Sequence, residues 1–201
     1  MALTKVVQSS LFATQVVTGG TPGQVIASSP FACPTNFASA FYIDFSPVAL
    51  TGSPAATEWR IECSQLDDNT IWTPIYSRLS PTDIPVNPNV TTATAGTPTV
   101  IVSNIASFAA GQIVFFKNGT ILNSEWGEII AVNNGTSTLT LLDNLLFNQV
   151  GTNNIFNGGL RASIELPLTA RVRYRAVINN NRGTNRDVAF RINHTTLNAV
   201  T

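Results

Sequence analysis

The sequence predicts an all-β protein: an antiparallel β-sandwich, jelly-roll or immunoglobulin-like, carrying a small inserted β-barrel-like module. Three observations predict it. Helical periodicity is almost absent along the chain. Short apolar runs alternate with clusters of Gly, Pro, Asn and Ser at intervals of roughly ten residues, the punctuation of a sandwich or barrel. Polarity comes from Thr, Ser and Asn, since only 11% of residues are charged while 44% are hydrophobic. Soluble domains carry roughly 25% charged residues, and disorder needs low hydrophobicity with high charge. The chain's 201 residues suffice to bury a real core.

The strands can be justified in order. "SSLFATQVV" opens the series, "TGGTPGQ" is a turn cluster, and "VIASSPFA" follows. "ASAFYIDFSPVAL" sets Phe41, Ile43 and Phe45 on one face and Tyr42 and Asp44 on the other. "TEWRIECSQL" sets Trp59, Ile61 and Cys63 against Glu58, Arg60 and Glu62. "TIWTPIYSRL" reads as an edge strand, because Pro74 has no N–H to give a ladder. Residues 80–99, with Pro81, Pro85, Pro88 and Pro98 among many Thr, read as an extended linker. Beyond it, Asn118-Gly119 and Asn134-Gly135 signal hairpins between strand-like runs. "ASFAAGQIVFF" reads as the entry into an SH3-like or barrel-like module, which ends in "NQVGTNNIFNGG". After Gly158-Gly159 come "LRASIELPL" and an arginine-rich hairpin.

Strand counting suggests the organisation. The C-terminal segment is too short to fold alone, and the first segment would be left with open edges. The expected division is a sandwich from residues 1–82 plus 160–201, with residues 83–159 as a β module inserted at a loop tip. Two sequential domains, 1–82 and 83–201, are the rival.

Composition narrows function. Net charge is zero, so the chain as a whole is no electrostatic binder of DNA or membrane. A surface so poor in charge lacks the usual protection against self-association, which points to an assembly subunit. No apolar run approaches the ~20 residues of a membrane helix. "MALTKVVQSSLFATQVV" lacks the apolar core of a secretory signal. Cys33 and Cys63 show no metal spacing and read as buried free thiols. The sequons at Asn89, Asn118, Asn134 and Asn193 are no more than a Thr- and Asn-rich chain produces by chance.

Six of the nine arginines, Arg171, Arg173, Arg175, Arg182, Arg186 and Arg191, lie in "ARVRYRAVINNNRGTNRDVAFRI". Period-two alternation turns Arg171, Arg173 and Arg175 one way and Val172, Tyr174, Ala176 and Ile178 into the core. Val188, Phe190 and Ile192 likewise oppose Asp187, Ala189 and Arg191. Three readings stand. Glu58 and Glu62 on a neighbouring strand would pair with Arg171 and Arg173, each cross-strand pair contributing about 0.2–1 kcal/mol. Alternatively, Arg171, Arg173, Arg175 and Arg191 form a docking interface for an acidic partner subunit, since the guanidinium fork suits carboxylates. Nucleic acid is supported least, because Tyr174 alternates away from the charges and offers them no stacking platform.

Nothing predicts an enzyme. His194 stands alone near the end of the chain and reads as a surface residue. No nucleophile elbow, phosphate loop or metalloprotease motif occurs. Asp67-Asp68 in "DDNTIW" reads as an Asx-turn before a Ca²⁺ site. No cofactor and no metal are expected. Trp126 between Glu125 and Glu128 admits two readings: a packed core indole, or an aromatic glycan surface flanked by acids.

"ATEWRIECSQLDDNTIWTPI", the inserted "IASFAAGQIVFFKNGTILNSEWGEIIAVNNGTSTLTLLDNL" and "LTARVRYRAVINNN" together resemble virion structural proteins of tailed bacteriophages, in which a β-sandwich carries an inserted β module. The resemblance lies in organisation over most of the chain and in no invariant motif. It implies a non-enzymatic particle component made in the host bacterial cytoplasm and resident in the virion. A capsid decoration or cementing subunit is the first expectation. It would be homo-oligomeric and would dock on the major capsid protein or on neighbouring copies. A tail, neck or fibre protein is the alternative, with Trp126, Glu125 and Glu128 recognising host glycans.

Overall fold

Fifteen strands and one 3-10 turn account for the regular structure in the computed structural model, which describes residues 3–7, 12–17, 25–32, 36–48, 58–64, 70–79, 88–152, 154–167, 173–179 and 187–199. The strands are β1 (Leu3–Val7), β2 (Phe12–Val17), β3 (Val25–Ala27), β4 (Phe31–Ala32), β5 (Asn36–Pro47), β6 (Glu58–Ser64) and β7 (Thr73–Leu79). There follow β8 (Val90–Ala93), β9 (Thr99–Val102), β10 (Ile113–Phe116), β11 (Glu125–Asn133) and β12 (Thr138–Leu141). The last three are β13 (Ile155–Pro167), β14 (Arg173–Asn179) and β15 (Val188–Ala199). They form a ten-stranded sheet in the order β1-β15-β5-β13-β10-β11-β12-β9-β8, with β2 also on β15. A five-stranded sheet runs β3-β14-β6-β7, with β4 also on β14. The strand pairing is antiparallel.

Alternation fixes which faces meet. Phe41, Ile43 and Phe45 of β5, Ile164 of β13 and Val188, Phe190 and Ile192 of β15 point inward from the large sheet. They meet Trp59, Ile61 and Cys63 of β6 and Ala176 and Ile178 of β14 in one buried cluster. Each fully buried side chain of this size contributes about 1.5–3 kcal/mol. A second cluster, from Val90 to Ile155, fills the segment between β8 and the start of β13. A third joins the two: Phe115, Trp126 and Phe156 pack with Val48 and Ala189.

Several sequence expectations are corrected. The stretch 80–99 is not wholly a linker, because β8 pairs with β9 once Val90 and Ala93 are buried, at 2% and 1% exposure. Asn118-Gly119 makes no tight hairpin; Asn118 Oδ1 accepts from Thr120 N, and a 3-10 turn at Ile121–Asn123 carries the chain to β11. Asn134-Gly135 does lie in the β11–β12 hairpin, in a loop where Ser137 adopts φ 51°. Gly158-Gly159 lies inside one continuous strand, β13, where Gly158 takes φ 84° and Gly159 lets the backbone of β10 pass. A Cβ on Gly159 would stand 2.8 Å from Ile113 O. The same strand therefore pairs with β10 at its start and with β5 over Leu160–Pro167.

The arginine-rich segment is no hairpin. β14 pairs with β3, β4 and β6, while β15 pairs with β1, β2 and β5 in the other sheet. Each strand buries its own apolar face from one side of the core, so the two sit across the sandwich from each other. Pro74 lies in β7, the last strand of the small sheet, opposite Glu62, and the register shifts beside it, with Ile75 of β7 left as the extra residue.

Candidate functional site

On the outer face of the small sheet, register is set by the residues beneath. Trp59 opposes Ile178 and Ile61 opposes Ala176, all buried, and this brings Glu62 opposite Arg175. Arg175 Nε lies 2.7 Å from Glu62 Oε2, and Arg60 Nε lies 2.6 Å from Glu62 Oε1. Arg60 also approaches Glu58 Oε2 at 3.7 Å, and Ser77 Oγ donates to Glu58 Oε1 at 2.9 Å. The guanidinium of Arg175 covers the Trp72 ring at 4.3 Å, a cation–π contact. A charge ladder of the expected type forms, with shifted partners: Arg175 faces Glu62, Arg173 faces Ser64, and Glu58 faces Asn179. Arg173 is half-buried on the same strand. Arg171, Arg182 and Arg186 lie outside the described residues, as do Cys33 and Asp67-Asp68.

The outer face of the large sheet repeats the arrangement. Asp44 of β5 stands opposite Arg161 of β13 on one side and Arg191 of β15 on the other. Arg161 Nε donates to Oδ1 at 2.7 Å, and Arg191 donates to Oδ2 from Nε at 3.2 Å and from Nη2. Asp44 is thereby only 7% exposed. Arg191 lies over the Trp126 ring at 5.4 Å. The sequence pattern singled out Arg191 and missed Arg161. The signal lay in "LRASIEL", whose alternation turns Arg161 to the same face as Ser163 and Glu165.

Trp126 is 7% exposed, tilted against Phe115 with ring centroids 4.5 Å apart. Its Nε1 finds no acceptor among the described residues. Glu125 is buried and acts as a loop anchor, accepting from Leu146 N at 2.9 Å, Phe147 N at 3.2 Å and Gln149 Nε2 at 2.7 Å. Glu128 is half-buried opposite Ile113. These three residues are neighbours in sequence, but the indole face and the Glu125 carboxylate are both occupied by the protein's own groups.

His194 is not on the surface. It is 2% exposed and stacks on Phe41 with centroids 5.0 Å apart. It follows Val188, Phe190 and Ile192 on the inward face of β15, and burial lowers its pKa from 6.5 to about 4. Cys63 is buried in the sandwich core. Among the described residues, no group of three or more His, Cys, Asp or Glu side chains is placed to hold a metal ion. No helix in them is long and apolar enough to cross a membrane.

No protein-family model matches the chain, and no curated protein matches it. Among solved structures it is similar to VP17, a capsid protein of bacteriophage P23-77, at 12% identity over 98% of this chain and 100% of that one, with a TM-score of 0.17. It is similar to the VP16–VP17 complex of the two major capsid proteins of that phage, at 10% identity over 96% and 97%, with a TM-score of 0.17. The VP2 subviral particle of infectious bursal disease virus follows, at 7% identity over 98% of this chain and 41% of that one, with a TM-score of 0.22. Chains with TM-scores this low do not superpose closely, so these likenesses carry no argument about this chain's role.

Proposed function

We propose that this chain is a non-enzymatic structural subunit of a bacteriophage virion, a capsid decoration or cementing protein that docks on the major capsid shell. The observation that carries the reading is a concentration of exposed apolar side chains. Of eight large hydrophobic residues exposed among those described, five, Leu122, Ile130, Leu142, Leu146 and Val150, lie between residues 122 and 150. Scattered single apolar residues are ordinary, and it is their concentration within one segment that this reading takes as a surface for a partner. The chain's low charge agrees with a surface made to be covered. The resemblance in sequence organisation to tailed-phage virion proteins names the kind of assembly.

In this reading residues 1–82 and 160–201 form a jelly-roll or immunoglobulin-like sandwich, and residues 83–159 form the inserted module that bridges to neighbouring copies. Two separate hydrophobic clusters, one from residues 12–63 and 164–192 and one from residues 90–155, support that division. Arg173 and Arg175 serve as docking residues on the small-sheet face, Arg191 serves the opposite face, and Arg171, outside the described residues, is proposed with them. Purified chain added to particles stripped of it should rebind, and Arg173→Ser with Arg175→Ser should weaken rebinding while the variant stays folded. Unimpaired rebinding by Leu142→Ser, Leu146→Ser and Val150→Ser combined would remove the observation on which the reading stands.

A further inference from the structure

Three adjacent strands of the large sheet build a shallow depression of about 470 Å³ on its outer face. The floor is in register. Asp44 lies between Arg161 and Arg191, and Tyr42 lies between Ser163 and Asn193. All six line the depression. Two cations share one carboxylate, so the site carries a net charge of about +1. Asp44 engages Arg161 through Nε and Arg191 through Nε and Nη2. Among the described residues, Arg161 Nη1 and Nη2 and Arg191 Nη1 have no hydrogen-bond partner. The side chains of Arg161 and Arg191 are 39% and 33% exposed, so these donors reach solvent.

Asp44 and the Trp126 ring hold the guanidinium planes in place before any ligand arrives. A fixed pair of forks with spare donors suits a planar, acceptor-only group. Tyr42, 41% exposed beside them, adds an amphipathic contact of the kind enriched at protein interfaces. One net charge matches a single carboxylate set between the two forks. We propose that this depression seats the carboxylate of an aspartate or glutamate side chain from a partner protein subunit. The inference deepens the assembly reading by naming the chemistry of the partner, and rests on it for the partner's existence.

The test uses the full chain and a hexaglutamate peptide as probe, with hexaglutamine, glucuronate and inorganic phosphate as comparators, in low salt. Hexaglutamate should bind, should weaken as salt rises, and should outcompete all three. Arg161→Gln should lower its affinity about tenfold. Asp44→Asn should raise it several-fold, because the resident carboxylate that competes for the forks is gone. A purely structural Asp44 would lower stability and leave affinity unimproved, and urea midpoints for each variant separate the two effects. Equal affinity in wild type, Arg161→Gln and Asp44→Asn overturns the proposal, as does binding of glucuronate or phosphate without binding of the peptide. If the peptide fails to bind while the chain is present in particles, the seat is wrong and the subunit reading survives. Binding as described by a chain absent from particles supports the seat and removes the subunit reading.

Discussion

Arg175 and Glu62 meet across β14 and β6 with Nε and Oε2 2.7 Å apart, and the contact is a consequence of packing beneath it. Glu62 is 3% exposed and holds Arg60 as well. Removing the acid leaves two guanidinium groups facing each other, whereas removing one arginine leaves the acid still paired. Glu62→Gln should therefore destabilise by about 2–4 kcal/mol, less than a fully buried pair because the arginines reach solvent. Arg175→Gln should cost about 1 kcal/mol. Urea unfolding of both variants checks the order, and a larger loss for Arg175→Gln would contradict it.

Trp126 packs against Phe115, Phe156, Val48 and Ala189, where the segment before β13 meets the sandwich. Trp126→Ala should cost about 3–5 kcal/mol, through lost burial and the cavity left behind. Thermal unfolding measures it. An unchanged melting temperature would mean that the indole is not part of that cluster.

The buried His194 makes stability depend on pH in a defined window. Its pKa is about 4 when folded and 6.5 ordinarily. Between those values the unfolded chain binds more protons than the folded one, so stability falls as pH drops through that range. The loss saturates below the folded value, at no more than about 3 kcal/mol. Subtracting the profile of His194→Phe from that of the wild type isolates the effect. Identical profiles from pH 7 to 4 would contradict the burial.

Gly159 and Gly119 separate steric need from habit. A methyl at Gly159 would meet the Ile113 carbonyl at 2.8 Å, while one at Gly119 meets nothing within 4 Å. Gly159→Ala should lower stability by about 1–3 kcal/mol. Gly119→Ala should stay within about 0.5 kcal/mol. Denaturation midpoints decide, and two equal variants would contradict the β10–β13 approach.

Much of the sandwich was legible because a half-buried strand declares its faces locally. Phe41, Ile43, Phe45, Trp59, Ile61, Cys63, Phe190 and Ile192 all point inward as their alternation requires. What alternation does not encode is the partner strand. Nothing local in "RVRYRAVINNNRGTNRDVAFRI" says that its two halves belong to different sheets, because each half satisfies the same period. The Asp44 seat was invisible for the same reason: Arg161 and Arg191 are thirty positions apart and meet only through β5. His194 was misread from its nearness to the terminus, although it continues the inward parity of Ile192.

Quantitative mass spectrometry of purified particles, counting copies of the chain per major capsid subunit, decides whether the chain is the virion component proposed above. A ratio near one or a simple fraction of one is expected. A chain absent from the particles would contradict it.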